Sequence, residues 1–168
     1  LYMVGGVVRD LLLNRPNYDI DFVVEAGSRL TGIALAGALQ AHYGGHVSSY
    51  EPFGTAKWRL SDEVAVALRI APASLPHHID FATSRNEFYE HPTALPTVYA
   101  GSIKLDLLRR DFTINTLAVQ VSPSYAMGRV LDFYGGVSDL ERKLVRVLHS
   151  LSLVDDPTRI LRAVRFVH

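Results

Sequence analysis

The sequence predicts an α+β fold, a mixed sheet of about five strands with helices on one side. Two observations carry this expectation. Short segments of strand composition alternate with segments of helical spacing, and glycine or proline turns separate them. The 168 residues, 48% hydrophobic and 20% charged, suffice for one domain with a sizeable core.

In chain order, Leu1–Val4 is a short apolar strand closed by Gly5-Gly6, and Val7–Leu13 reads as a short helix. Asn14-Arg15-Pro16-Asn17 is turn chemistry. Tyr18–Val24 has strand composition, with Ile20, Phe22 and Val24 alternating against Asp19, Asp21 and Val23. Leu30–His42 has helical spacing and stops at Gly44-Gly45. Val47–Ser49, Thr55–Leu60, Val64–Ile70 and His78–Ala82 read as strands, and 83–104, with Pro92 and Pro96, as irregular with a short helix. Leu105–Leu117 is helical in pattern, and Ala118–Val121 and Val130–Phe133 return as strands. Asp139–Lys143 reads as a helix, Val145–Leu148 as a strand, and Pro157–His168 as an amphipathic helix entered through Asp155-Asp156. A composition break at Ser150-Leu151-Ser152 divides 1–149 from a helical region beginning at 150–168.

Composition excludes several classes. With zero cysteines there are no disulfides or thiolate metal sites, and no run approaches the ~18 apolar residues of a membrane span. No charged-then-apolar signal segment opens the chain, so a cytoplasmic location is expected. The 17 basic and 17 acidic residues balance, which does not advertise a nucleic-acid binder. The sequence opens within a strand and stops within a helix, as a fragment does, so an RNA-binding surface is expected elsewhere.

Two features carry chemistry. Asp19 and Asp21 lie two apart in a strand and leave the same face, where their mutual repulsion calls for a cation; magnesium, with its preference for hard oxygen ligands and phosphate, is the natural one. Asp80, on another strand, is a candidate third ligand. An isolated Asp-X-Asp more often marks a solvated sheet face, but here the flanks are apolar. The second feature is the strand, Gly5-Gly6, helix sequence, which forms an anion cradle, with Arg9 in the first helical turn as a grip for triphosphate. An isolated Gly-Gly is a plain turn. A cradle about a dozen residues before the carboxylates points to a nucleoside triphosphate.

Gly5-Gly6-Val7-Val8-Arg9-Asp10-Leu11-Leu12 followed by Asp19-Ile20-Asp21 resembles the first signature of the DNA polymerase β-like nucleotidyltransferases, in the class II tRNA nucleotidyltransferase and bacterial poly(A) polymerase branch. Phe53-Gly54-Thr55 agrees. So does Asp80-Phe81-Ala82-Thr83-Ser84-Arg85, with Glu87, Tyr89, Pro92 and Leu95-Pro96 of a flexible loop. Arg109-Arg110-Asp111-Phe112-Thr113-Ile114-Asn115 is similar to the second motif, and Asp132 with Gly135-Gly136 and Asp139-Leu140 to the third. Asp155-Asp156-Pro157-Thr158-Arg159 with Leu161-Arg162-Ala163 is similar to the fourth, which departs only in opening with Asp where the family has Glu.

The resemblance implies a catalytic head (1–149) followed by the first helix of a helical neck. It implies Asp19 and Asp21 as ligands of two magnesium ions and as catalytic residues, with Asp80 as a third carboxylate that ligates metal or anchors its strand. Gly5, Gly6, Arg9, Arg110, Asp111, Asn115, Asp156, Arg159 and Arg162 are its nucleotide-binding candidates. Asp111 would read the ribose 2′-hydroxyl, Arg110 would place phosphate or base, and Asn115 would support that loop. ATP or CTP would be the substrates and a tRNA or other RNA 3′ end the partner.

Asp156 and Arg159 stand one helical turn apart and can face one ligand. A carboxylate only accepts hydrogen bonds and a guanidinium only donates. Cytosine and adenine present an amino donor beside a ring-nitrogen acceptor, whereas guanine and uracil present the reverse, so the pair selects C or A. Asp155 or Asp156 also suits a helix cap before Pro157. The expected reaction is addition of CMP or AMP to a tRNA 3′ end. The alternatives are poly(A) synthesis, a small-molecule nucleotidyltransferase, and an idle domain that kept the fold. Trp58 is expected in the core, Lys57 and Arg59 on a solvated strand face, and His77-His78 in a solvated loop without metal-ligand pairing.

Overall fold

The computed structural model describes residues 1–27, 30–88 and 97–167. The order is β1 (Tyr2–Val4), α1 (Gly6–Leu12), β2 (Ile20–Val24), α2 (Gly32–Tyr43), β3 (His46–Tyr50), β4 (Thr55–Arg59), α3 (Asp62–Leu68) and β5 (His78–Thr83). There follow β6 (Arg85–Phe88), β7 (Thr97–Ala100), α4 (Ile103–Leu108), β8 (Ala118–Gln120), β9 (Val130–Leu131), α5 (Gly136–Glu141), α6 (Ser152–Asp155) and α7 (Thr158–Val167).

The expected mixed sheet is present, with seven strands among the described residues in the order β3-β4-β5-β2-β1-β8-β9. Only β2 and β5 pair in parallel; every other neighbouring pair is antiparallel. Strand alternation sorts the core onto two faces. Met3, Ile20 and Val119 meet Val7 and Val8 of α1. On that same face Phe22 stacks on Phe81 at 5.6 Å, in the cluster that holds Ala36 of α2 and Val64 of α3. The opposite face carries Tyr2, Val4 and Val23 against Ile103 and Leu107 of α4. Helices therefore cover both faces, where one was expected. Beyond α4 that second face carries Asp21, Asp80 and Lys57 in register across β2, β5 and β4.

Local differences have local causes. Val64–Ile70 is not a strand; Val64–Leu68 lies in α3, where Asp62 and Glu63 supply the acidic first turn after Ser61, and Arg69 caps its end. The irregular segment 83–104 contains the β6–β7 hairpin. Tyr89, Pro92, Leu95 and Pro96 lie outside the described residues, as does the Glu87 side chain. The helix expected over Leu105–Leu117 ends at Leu108. Past it the Asp111 carboxylate binds the Phe112 amide at 2.8 Å, a local bond that competes with continuing the helix. Val145–Leu148 forms no strand, only a bridge between Val147 and Phe112. Trp58 is buried as expected, its Nε1 donating to the Gly44 carbonyl at 2.9 Å. No helix among the described residues is long and apolar enough to cross a membrane.

Candidate active site

β2 and β5 bring Asp21 and Asp80 side by side, and Asp19 precedes β2 on the same alternation. Burial pushes the Asp21 carboxyl up to about 6; the Arg110 charge opposes the rise, and Asp19 and Asp80 add to it. Asp19 is three-quarters exposed. Lys57 Nζ pairs with Asp80 Oδ2 at 2.6 Å across the β4–β5 pair. Asp19 and Asp21 offer carboxylate oxygens, the hard donors that a divalent cation takes, and the Asp19 charge adds to the cost of ionising Asp21. His78 opens β5, as the strand reading of His78–Ala82 has it and the solvated-loop reading does not, and its Nε2 lies 3.6 Å from Asp19 and 3.5 Å from Asp80. Residue spacing did not show this ligand-capable trio of Asp19, His78 and Asp80, because sheet register creates it.

The glycine turn brings the arginines to the carboxylates. Gly5 adopts φ +77°, and a Cβ there would stand 2.8 Å from Arg110 Nη1 and 3.7 Å from Asp21 Oδ2. The missing side chain is the space the guanidinium tip occupies. Arg110 is held from behind by Asp106, a fully buried carboxylate of α4, at 3.5 Å. Arg109 binds the other Asp106 oxygen at 2.9 Å, and the Arg85 amide donates to it at 3.3 Å. Asp106 was not singled out from the sequence, although its i, i+3 and i, i+4 spacing to the two arginines was readable there. Arg110 Nε is buried without a hydrogen-bond partner.

Arg9 is part of the wall of the cleft. Its Nε and Nη2 bind the Asp10 carboxylate at 2.8 and 2.9 Å, Nη1 binds Asn115 Oδ1 at 2.7 Å, and the ring of Phe166 lies 4.9 Å below. Asn115 then donates to Asp111 Oδ1 at 2.9 Å, and Arg162 holds Asp111 Oδ2 at 2.6–2.7 Å. Burial alone would raise the Asp111 carboxyl, but bonds from Asn115, Arg162 and the Phe112 amide outweigh it and hold it below the usual carboxylate range. Beneath this loop Asp139 accepts from Thr113 at 2.7 Å and from Arg146 at 2.9 and 3.0 Å, while Asp132 caps α5 through the Gly136 and Val137 amides. Gly136 packs so closely on the Thr113 carbonyl that a Cβ would overlap it. The third motif thus supports the second.

Asp156 caps the start of α7 with one oxygen and faces Arg159 with the other. Its Oδ1 accepts from the Thr158 amide at 3.0 Å and the Thr158 hydroxyl at 2.5 Å at the start of α7, and its Oδ2 lies 3.7 Å from Arg159 Nε. One cleft of about 1300 Å³ is lined by Gly5, Gly6, Arg9, Asp19, Asp21, Arg110, Asp111, Asn115, Asp156, Arg159 and Arg162. Every nucleotide-binding candidate therefore borders the same space as Asp19 and Asp21. Asp80 lies one strand beyond the lining.

Residues 1–146 match the family described as the poly(A) polymerase head domain, and the chain belongs to that family. Among curated relatives, the A-adding tRNA nucleotidyltransferase of Geobacter sulfurreducens is 46% identical over 99% of this chain, which spans 17% of that protein. The A-adding enzyme of Halalkalibacterium halodurans is 40% identical over 99% of the chain and 35% of its own length. The CC-adding enzyme of Geobacter sulfurreducens is 36% identical over 98% of the chain and 31% of its length. Among solved structures, a CCA-adding enzyme in an apo form superposes with a TM-score of 0.80 at 43% identity, covering 98% of this chain and 35% of that one. A tRNA nucleotidyltransferase complexed with a primer tRNA and an incoming ATP analogue gives a TM-score of 0.77 at 41% identity over 98% of this chain and 40% of its own. The chain thus spans well under half the length of each of these proteins.

Proposed function

We propose that this protein transfers AMP or CMP from ATP or CTP to the 3′ end of tRNA, without a nucleic-acid template and with release of pyrophosphate. The observation that carries the reading is that Asp156 and Arg159 border the same cleft as the Asp19–Asp21 pair. That cleft joins a base-reading pair of one acceptor and one donor to a cation site. Asp19 and Asp21 would hold two magnesium ions, which when bound activate the attacking hydroxyl and neutralise the triphosphate. Arg110 sits beside Asp21 to meet phosphate, Gly5 leaves room for it, and Asp111 accepts from the ribose 2′-hydroxyl. Residues 150–168, with α6 and α7, are read as the start of a helical neck and the compartment as cytoplasmic.

Addition of A is the sub-reaction we favour, because within one organism the identity is 46% to the A-adding enzyme and 36% to the CC-adding one. Poly(A) synthesis is the second reading, supported by the family description. The deciding experiment offers each labelled triphosphate with magnesium to tRNAs ending before CCA, after C and after CC, with an Asp19→Ala/Asp21→Ala blank. A single A on the CC end is expected. C followed by A on shorter ends means CCA addition, and an unlimited A tail means a poly(A) polymerase. No incorporation on any RNA overturns the reading.

A further inference from the structure

The two base-reading side chains are tethered by protein on the sides away from each other. Arg159 Nη1 donates to Ser152 Oγ at 2.5 Å and Nη2 to the Arg109 carbonyl at 3.2 Å. Its side chain is only 11% exposed, and Ser152 is completely buried, so water does not compete for that bond. Two of the five guanidinium N–H groups are thereby used, and Nε faces Asp156 Oδ2 at 3.7 Å. On Asp156, Thr158 occupies Oδ1 through both its amide and its hydroxyl, which leaves Oδ2 as the oxygen on the Arg159 side.

These tethers answer a problem inherent in the pair. One acceptor beside one donor matches adenine or cytosine in one order. With the two side chains exchanged, the same pair matches the carbonyl acceptor and ring N–H donor of guanine or uracil. Chemical identity alone therefore cannot select the base; the order of the two groups has to be held. A free arginine and a free aspartate one turn apart on a helix end have the rotamer freedom to exchange.

Resting on the transfer reading above, we propose that Ser152 and Thr158 are positioning residues that set base selectivity. Ser152 fixes the donor end through Arg159, and Thr158 fixes the acceptor end through Asp156. Ser152 lies outside the lining of the cleft and Thr158 borders it, and each acts through the side chain it holds. Their removal loosens the order of the pair and admits G and U.

The test compares the full-length wild type with Ser152→Ala and Thr158→Val, measuring kcat/KM for ATP, CTP, GTP and UTP on tRNA ends. A ratio of preferred nucleotide over GTP does not depend on the fraction of enzyme that is folded, so a destabilised Ser152→Ala still reports. Losing a buried bond to a charged group predicts a drop of roughly tenfold in that ratio for Ser152→Ala, and roughly threefold at the exposed Thr158. Arg159→Lys, a point charge that cannot hold both tethers, loses selectivity further, and adding Ser152→Ala to it changes nothing more. Wild-type ratios in both single variants overturn the proposal. If the wild type transfers nothing, the transfer reading falls by itself, and the ratio of ATP to GTP affinities from equilibrium binding in the same variants still decides the positioning role.

Discussion

The two walls of the cleft are built on opposite principles. On the sheet wall, Asp19 is largely exposed and Asp21 is partly buried beside other negative charges with incomplete compensation. On the loop and helix wall these side chains are tied to protein partners: Arg9 to Asp10 and Asn115, Arg110 to Asp106, Asp111 to Arg162, and Arg159 to Ser152. The two carboxylates Asp21 and Asp111 show the contrast directly, one raised and the other lowered, though burial pushes both upward. The sheet wall keeps a charge deficit for cations to fill, and the other wall is organised before any ligand arrives.

Breaking the sheet wall should have the largest effect. Asp21→Asn is expected to lower nucleotide transfer on the order of 10³-fold or more, by removing a charge that cations need. The same change should stabilise the metal-free fold. A folded-state value of about 6 means that Asp21 favours folding when protonated and that this contribution is lost as pH rises through about 6. Melting in EDTA should therefore show the variant gaining on the wild type from pH 5 to 7.5; no gain would contradict the deficit.

Next in size is the arginine wall. Asp106→Ala should cost about 2–3 kcal/mol in urea unfolding, because it leaves Arg109 and Arg110 facing each other without their shared carboxylate. It should also raise KM for the nucleotide more than it lowers kcat. The pH test of Asp111 runs opposite to that of Asp21. Its lowered value stabilises the fold above the unfolded carboxylate pKa and is lost as pH falls through the folded one. Asp111→Asn should thus flatten the loss of stability below about pH 4 and fail to improve it near neutrality. The smallest effect is expected at Lys57→Met: the pair with Asp80 is about one-third exposed, so unfolding should shift by less than about 1 kcal/mol.

The sequence made the cleft more legible than the sheet. Gly5, Asp19, Asp21, Asp111 and Arg159 stand in short motifs, and local spacing places each on a turn, strand or helix start. Sheet register is non-local, so Lys57 and His78 beside Asp80 were invisible until β4 and β5 were paired. Ala118–Val121 and Val130–Phe133 read as strands and form β8 and β9, but local spacing does not show which strands join one sheet, so about five are expected there and seven pair. Val64–Ile70 failed for a different reason: alternating Val and Ala suits a strand or a helix, and only the acidic turn before it decides. Ser152 carried no signal, since its importance comes from a partner on another helix.

The chain of bonds from Asp10 through Arg9, Asn115 and Asp111 to Arg162 also constrains how such a sequence can change. Each link is a donor facing an acceptor, so a substitution at one position leaves its neighbour with an uncompensated group, and the defect passes along to the next. Replacing Asp10 by an amide would weaken the bonds that orient Arg9 and so unsettle Asn115, then Asp111. These five positions, spread from residue 9 to residue 162, should therefore drift together or not at all, as a single inherited unit.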